Sequence, residues 1–484
     1  MTPQPPAGAG TGDGPTVPEA ELEPDELGTL DVTASTVANI GPGIDFYFGF
    51  GVIAVTAGVA APLTILAAAV AVFLLAATVA EFDRAEPSSG SFITYVESGL
   101  GRGTGLATAL LVMIGYTVAM AGVITMSGGF IAMTLAHYTA VDVPWGPITV
   151  VVTLGALYVM IRGIRLSTSA VGAAVVVQVV VMVAVCVVVL ADHRGHLSSA
   201  PFSWSHLSGG LAGLSAGFPL ALYMFIGWEN GPALAEESRR PRQTIPRALY
   251  LSIGIATVLF VLFAYSTVTG FDDDVSSIGR SSVPFLTVAD RYLGGAAVLA
   301  WLAGIASVLA TLVAGTSSQA RMLFDAGRTG LLPGWLGRVR ADTRTPANAL
   351  VAFTGIGLGI IGLWAIVHLV GVGSGSMNPV GLYAECSTMG TIVILFVYAL
   401  TVVALPAFVW RRHRPHFSVV RHIGIPLLGL AALVVPFVEL FSPGQPAPYD
   451  AFPFIALGIA ALAGATGAIV GRRRPSVGTV PDRT

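Results

Sequence analysis

The sequence contains no lysine, since all 24 of its basic residues are arginines. A Schiff base and a phosphate-binding P-loop both need a lysine, so neither is available to this chain. Only two cysteines occur, Cys186 and Cys386, each within an apolar run, which excludes a disulfide framework and a cysteine metal cluster. Charged residues make up 11% of the chain and its net charge is -3, which gives no support for nucleic-acid binding.

Motifs for catalysis are also missing. A membrane-embedded enzyme would need a nucleophile or a metal set, and the sequence has neither an H-E-x-x-H helix nor a metal-ligand spacing. We therefore predict that the chain is not an enzyme and needs no cofactor. The one metal ion left open is sodium, which is considered below.

Apolar residues dominate the chain, with 54% hydrophobic residues and a mean hydropathy of +0.79. A bilayer core about 30 Å thick needs about 20 apolar helical residues per crossing. Alternating barrel-type patterning is absent, so the sequence predicts an all-α integral membrane protein. Twelve spans are predicted, at 35–60, 62–82, 106–137, 143–161, 168–191, 211–236, 248–270, 293–324, 347–372, 381–410, 425–441 and 451–471.

The arginines predict the orientation, because short cytoplasmic loops of membrane proteins carry the excess of positive charge. With the N-terminus inside, every arginine except Arg194, Arg280 and Arg291 faces the cytoplasm. We predict a multi-pass protein of the cytoplasmic (plasma) membrane with both termini in the cytoplasm. Residues 1–33, rich in Pro, Gly and acids, are predicted to be a disordered cytoplasmic tail.

Two predicted spans are interrupted by glycine and proline. The first contains Gly41-Pro42-Gly43, and the sixth contains GWENGP at residues 227–232, five helices further on. Glycine loosens a helix and proline removes a backbone donor, which frees polar backbone groups at membrane depth. Paired breaks at corresponding places of two halves are typical of the substrate site of an inverted-repeat transporter.

Several separate segments resemble the amino acid, polyamine and organocation (APC) transporter superfamily, and its amino acid permeases in particular. FIGWEN at 225–230 with EESRRPRQTIPRA at 236–248 is similar to the sixth helix and its exit loop. RMLFDAGRTGLLP at 321–333 with TPANA at 345–349 resembles the loop between helices eight and nine, and PSSGS at 87–91 through Tyr95 resembles the loop between helices two and three.

The resemblance implies a LeuT-like fold of two inverted five-helix repeats, with discontinuous helices one and six, plus two extra C-terminal helices. The implied divisions are the tail 1–33, a first repeat at 34–192, a second repeat at 208–410, two further helices at 420–471 and a cytoplasmic tail at 472–484.

By the same resemblance, free amides around Gly41 and Gly43 receive a substrate carboxylate, while carbonyls of the second break receive an ammonium group. Pro42 departs from the usual Gly-Ser-Gly or Gly-Thr-Gly and deletes an amide and a hydroxyl, which makes a decarboxylated amine or polyamine an alternative substrate. The implied substrate-binding residues are Ile40, Gly41, Gly43, Ile44, Asp45, Tyr116, Tyr223, Phe225, Ile226, Gly227 and Trp228.

Asp45 is an ionisable residue inside a membrane helix, which makes it a functional hypothesis by default. It is a candidate counter-ion for a substrate amine, and the alternative is an N-terminal cap of the second half-helix. The aromatic residues near the breaks are candidates for covering the substrate, and Tyr95 and Trp228 for gating. The alternative for each aromatic residue is packing or contact with lipid.

Coupling residues follow from the resemblance and from helix spacing. Glu229 occupies a position linked to proton-dependent opening and closing, unless it only accepts hydrogen bonds from the broken helix. Gln178 stands where many sodium-independent relatives carry a lysine, so either sodium binds with Ser307 and Thr311, one helical turn apart, or coupling is absent. Hydroxyls in membrane helices also serve packing or bond their own backbone. Glu385 is a further candidate, with cavity lining as its alternative.

The predicted function is secondary active transport of an amino acid or related small amine by alternating access, as a proton symporter or as an antiporter. The alternatives are a polyamine or alkanolamine transporter and a non-transporting nutrient receptor on the same fold. The predicted partners are the small-molecule solute, a proton or sodium ion and the lipid bilayer. The oligomeric state is not predicted.

Overall fold

A computed structural model of the protein describes residues 27–162, 164–340, 342–369, 377–441 and 447–473. Most of the two predicted tails therefore lies outside the described residues. The described residues form helices and contain no β-strand. The helices are α1 (Thr29–Ile40), α2 (Pro42–Ala57), α3 (Ala61–Ala85), α4 (Ser91–Leu100), α5 (Arg102–Thr139), α6 (Trp145–Arg162), α7 (Ile164–Asp192), α8 (Leu211–Tyr223), α9 (Pro241–Gly270), α10 (Val275–Arg280), α11 (Pro284–Leu293), α12 (Val298–Arg328), α13 (Ala347–Leu369), α14 (Pro379–Arg412), α15 (Ile425–Glu439) and α16 (Phe452–Arg473), with a 3-10 helix at Trp228–Glu237.

Ten helical runs among the described residues are long and apolar enough to cross a membrane. One run, Thr29–Ala85, has 57 residues and holds the first two predicted spans, which the short turn Gly58–Ala60 separates. The predicted span 425–441 lies on α15, whose 15 residues are shorter than the usual crossing. The all-helical membrane architecture is confirmed, and the count of twelve spans stays a prediction.

The 38-residue helix α5 lies against α14 over much of its length. Glycines on both helices allow this approach, since a Cβ on Gly390 would lie 2.7 Å from the backbone oxygen of Gly115. A Cβ on Gly122 would lie 3.1 Å from the carbonyl oxygen of Tyr383. The chain positions in these contacts run in opposite directions, so α5 and α14 are antiparallel.

The outer helices expose large apolar side chains. Val151 on α6 is 72% exposed, and Leu363 on α13 and Leu462 on α16 are similarly exposed. Such surfaces are costly in water and suit contact with lipid tails. The helices that carry the two Gly/Pro interruptions are mostly buried and lie inside this outer layer.

Candidate substrate site

The first Gly/Pro interruption separates α1 from α2. Helix α1 ends at Ile40, Gly41 adopts a left-handed conformation with φ 66°, and Pro42 begins α2. Glycine permits the positive φ, and proline suits the first position of a helix because its missing N–H would have no helical partner there. The sequence therefore forms two half-helices joined at one residue.

Helix α12 supplies partners to both half-helices at this interruption. The Thr311 hydroxyl donates to the carbonyl of Ala38 at 3.2 Å, near the end of α1. One turn earlier, the Ser307 hydroxyl oxygen accepts from the Ile44 amide at 3.0 Å, in the first turn of α2. Helix ends leave such groups unpaired, so α12 stabilises the break.

Backbone groups at the second interruption form hydrogen bonds within the interruption itself. Helix α8 ends at Tyr223, Gly227 takes φ 111°, and the 3-10 helix follows. The Gly227 amide donates to a carboxylate oxygen of Glu229 at 3.0 Å, and the Ile226 amide donates to the carbonyl of Tyr223 at 2.8 Å. The alternative role of Glu229, accepting from the broken helix, is thus present in the structure.

The two interruptions lie side by side. The Asn39 amide donates to the carbonyl oxygen of Gly227 at 3.2 Å. A Cβ on Gly227 would lie 2.8 Å from the backbone carbon of Asn39, so only glycine permits this approach. Gly231 lies beside Thr36 and Gly49 beside Met224, which means that the two broken helices run antiparallel.

A cavity of about 30 Å³ lies between the two interruptions and helices α5 and α12. This volume holds about two water molecules, so the cavity must widen to admit a larger solute. Five predicted substrate-binding residues line it, and so does Thr311 from the predicted coupling set. The lining residues are Asn39, Asp45, Tyr116, Ala119, Met120, Val123, Tyr223, Ile226, Gly227, Asn230, Thr311, Gly315 and Gln319.

Asp45 lies in the first turn of α2 and is 3% exposed. Its carboxylate accepts a hydrogen bond from the Tyr383 hydroxyl at 2.7 Å, and the ring of Tyr383 packs on Tyr223 with centroids 5.9 Å apart. No side chain caps the start of α2 at Gly41. Among the described residues the carboxylate bonds to a tyrosine of α14, and both roles predicted for Asp45 stay predictions.

Glu229 is fully buried and accepts a hydrogen bond from Tyr116 of α5. The ring of Tyr398, from α14, lies 5.9 Å from that of the neighbouring Trp228. Glu229 thereby connects the second interruption with α5, while Trp228 beside it contacts α14.

Gln178 lies with the predicted sodium set. Its amide oxygen would be 3.4 Å from a Cβ on Gly43, and that same Cβ would be 2.6 Å from the Ser307 hydroxyl. Within the described residues, both polar atoms of this buried amide lack a hydrogen-bond partner. The structure brings Gln178, Ser307 and Thr311 to one side of the first interruption, with both hydroxyls bonded to backbone.

The other predicted residues lie outside the cavity lining. Gly41 and Gly43 face α12, while Ile40 and Ile44 are buried in the apolar core. Phe225 packs on Phe260, and Glu385 accepts a hydrogen bond from the indole of Trp364 at 3.0 Å. Tyr95, a predicted gating residue, donates to Asp83 at 2.5 Å and stacks on Phe82.

Five polar or aromatic residues at the site were not predicted from the sequence. Each is a polar or tyrosine residue within an apolar span, which is a usable signal, since buried polar groups in membrane helices commonly serve function. Their positions relative to the breaks depend on helix packing, which the sequence does not give. They are Asn39, Asn230, Gln319, Tyr383 and Tyr398.

Comparison with known proteins identifies the family of the chain. The family model described as amino acid permease matches residues 27–462, nearly the whole described chain. The chain belongs to the amino acid permease family. The predicted family is thereby confirmed, and the family consists of transporters rather than enzymes.

Relatives of this amino acid permease have different named solutes. The branched-chain amino acid permease BcaP of Bacillus subtilis is 25% identical over 442 residues, which cover 86% of this chain and 87% of that protein. The D-serine/D-alanine/glycine transporter of Escherichia coli is 28% identical over 252 residues, half of each chain. The methylthioribose transporter of Bacillus subtilis is 24% identical over 358 residues, covering 69% of this chain and 76% of that protein.

Proposed function

We propose that this amino acid permease carries an amino acid or a related small amine across the cytoplasmic membrane by alternating access. The observation that carries the proposal is the antiparallel pairing of two broken helices around a cavity that contains Asp45. Half-helix ends and an acidic side chain at such a place provide a site for a polar solute in the middle of the membrane.

The proposed architecture has twelve membrane-spanning helices, with two inverted repeats at 34–192 and 208–410 and two further helices at 420–471. The opposed directions of the two broken helices support a repeat related by an axis in the membrane plane. The distribution of arginines supports cytoplasmic termini.

The proposed coupling is a proton that Glu229 exchanges as the cavity opens and closes, or else exchange of one solute for another. Glu229 supports the first because its carboxylate accepts hydrogen bonds both from the Gly227 amide of the second interruption and from Tyr116 of α5. Gaining or losing a proton there would change the hydrogen bonds that join these elements. Sodium beside Gln178 is the alternative ion.

A cluster of ionic contacts supports closure on the cytoplasmic side. Arg328 at the end of α12 donates to Glu236 and to Asp325, each at 2.7 Å, and Ser89 donates to Glu236 at 2.6 Å. The cluster joins α12, the 3-10 helix and the loop between α3 and α4. We propose that opening toward the cytoplasm requires these contacts to separate.

Uptake of a labelled panel into proteoliposomes tests the function. The panel contains amino acids, polyamines and small alkanolamines, with imposed pH or sodium gradients and with preloaded solute. Accumulation of one class against empty liposomes is expected. Binding without movement across the whole panel would indicate a receptor on the same fold and contradict transport.

Glu229→Gln tests the coupling, since glutamine can still accept from the Gly227 amide but cannot exchange a proton. We expect uptake to lose its dependence on pH in this variant. Glu97→Gln on α4 is the matched control and should keep the wild-type dependence. Unchanged pH dependence in Glu229→Gln would show that protons couple elsewhere or not at all.

A further inference from the structure

Two amide side chains at the cavity leave hydrogen-bonding atoms unused. Gln319 on α12 donates through Nε2 to Oδ1 of Asn230 at 3.0 Å. Asn230 is 3% exposed and Gln319 is 2% exposed, and both line the cavity. Asn230 Nδ2 and Gln319 Oε1 have no partner among the described residues. The pair therefore presents one buried donor and one buried acceptor.

This result does not depend on how the amides are oriented. Oxygen and nitrogen of an amide side chain are assigned from hydrogen bonding, so both groups could be turned. If Asn230 and Gln319 were both turned, they would still bond to each other and would leave one acceptor and one donor free. The cavity keeps a donor and acceptor pair in either case.

A free donor beside a free acceptor matches a ligand group that both gives and takes a hydrogen bond. A hydroxyl does both. An ammonium group only donates and a carboxylate only accepts, so either would leave one buried atom of the pair without a partner, which is unfavourable. The end of the cavity formed by Asn230 and Gln319 is therefore suited to a hydroxyl group.

Asp45 is the only charged side chain among the described residues that line the cavity. Its sole hydrogen-bond partner in the described chain is the neutral hydroxyl of Tyr383. A buried carboxylate is stabilised by a cation, and none of the described residues that line the cavity is an arginine or histidine that could supply one. This part of the cavity is suited to an ammonium group.

Most of the backbone amides that could hold a carboxylate already donate hydrogen bonds within the chain. At the first interruption, the Gly41 amide donates to Val37, Pro42 has none, and the Ile44 amide donates to Ser307. At the second, the Gly227 amide donates to Glu229. Among residues 41–44, only the Gly43 amide could therefore donate to a carboxylate, and the α-carbon of Gly43 faces α12.

We propose that the solute is an amino alcohol, a small primary amine that carries a hydroxyl and no carboxylate. The ammonium group binds Asp45, the hydroxyl binds Asn230 and Gln319, and the carbon chain packs on apolar lining residues such as Met120 and Ile226. This inference rests on the proposed transport function and names the chemical class of its solute.

Competition in proteoliposomes tests the proposal with the unmodified protein. Uptake of labelled ethanolamine is measured against unlabelled ethylamine, which lacks the hydroxyl, and L-serine, which adds a carboxylate. We expect both competitors to be at least about tenfold weaker than unlabelled ethanolamine, since each leaves a buried polar group unpaired or an anion unmatched. Ethylamine or serine competing as well as ethanolamine would overturn the amino-alcohol assignment.

The two proposals fail in distinguishable ways. Serine uptake without ethanolamine uptake would overturn this inference and leave amino acid transport standing. No uptake of any panel compound by folded, monodisperse protein would overturn both.

A double variant locates the hydroxyl contact. Asn230→Leu with Gln319→Met replaces both partners by apolar groups of similar size, a change that leaves no new unpaired atom. We expect the preference for ethanolamine over ethylamine to fall to about onefold. Gln243→Ala, at an exposed position at the start of α9, is the control and should keep the preference. A folded double variant that keeps it would overturn the assignment of the hydroxyl site, and if the variant does not fold, the wild-type competition decides.

Discussion

The two helix interruptions look alike in sequence but are stabilised in different ways. The first depends on α12, whose Thr311 and Ser307 side chains bond to the ends of α1 and α2. The second is held by its own short-range bonds, including the contact of the Gly227 amide with Glu229. A movement of α12 would therefore disturb the helix ends of the first interruption directly, and would reach the second only through side-chain contacts such as that of Gln319 with Asn230.

The two sides of the cavity therefore differ in how they are supported. The first half-helix pair is bound to a neighbouring long helix, and the second carries the buried carboxylate Glu229 and the amide Asn230 on its own 3-10 segment. The interruptions touch at Asn39 and Gly227. We therefore expect the largest effect from a variant at this contact. A variant of Asp45 in the first interruption should have a smaller effect, and variants of the α12 residues that support that interruption the smallest.

Gly227→Ala should have the largest effect because it separates the two interruptions. The new Cβ would lie 2.8 Å from backbone atoms of Asn39 and 2.9 Å from the Ile40 nitrogen, and φ is 111°. Backbone atoms cannot rotate away as a side chain can, so we expect a loss of about 3 kcal/mol or more, with loss of uptake. Thermal unfolding in detergent measures the first effect and proteoliposome uptake the second.

Gly359→Ala on α13 is the control, since nothing lies within 4 Å of its added Cβ. It should be neutral or slightly stabilising, as alanine favours helix more than glycine does. If Gly227→Ala and Gly359→Ala had the same thermal stability and the same uptake, neither stability nor transport would need the close contact between the interruptions.

The contact at Gly227 also illustrates what the sequence can and cannot predict. Glycine and proline change backbone conformation locally, so both interruptions and their spacing were visible in the sequence. Thr311 and Ser307 were predicted as ion ligands, or else as residues that pack or bond to their own backbone, and Tyr383 was not predicted. Their contacts join residues more than 260 positions apart, and no local pattern specifies which helices will pack together.

Asp45→Asn should have the next largest effect, on solute binding rather than stability. Asparagine can still accept from Tyr383, so the fold should be kept while the negative charge is lost. We expect the half-saturating concentration of a cationic solute to rise by roughly 10- to 100-fold, the usual value of a hydrogen bond to a charged group. Uptake kinetics with a labelled amine measure it.

Asp342→Asn is the matched control, at an exposed loop position paired with Arg340. It should leave uptake unchanged, because exposed ion pairs contribute little. If Asp45→Asn keeps its affinity for amines but loses thermal stability, Asp45 has a structural role and is not a counter-ion.

Ser307→Ala should have a smaller effect, on the support of the first interruption. It removes the acceptor of the Ile44 amide in the first turn of α2, where loss of a hydroxyl partner usually costs about 1 kcal/mol. Thr311→Val keeps the side-chain shape and removes only the donor to Ala38, so we expect about 0.5 to 1 kcal/mol.

Ser252→Ala on α9 separates this support from general effects of burying a serine. Ser252 is buried, and its hydroxyl donates to the Leu249 carbonyl of the same helix. This bond lies inside α9 and does not support a helix end. The variant should change the thermal midpoint less than Ser307→Ala does. If the two serine variants are equally destabilised, the contacts from α12 do no more than ordinary helix packing, and the first interruption is as self-supporting as the second.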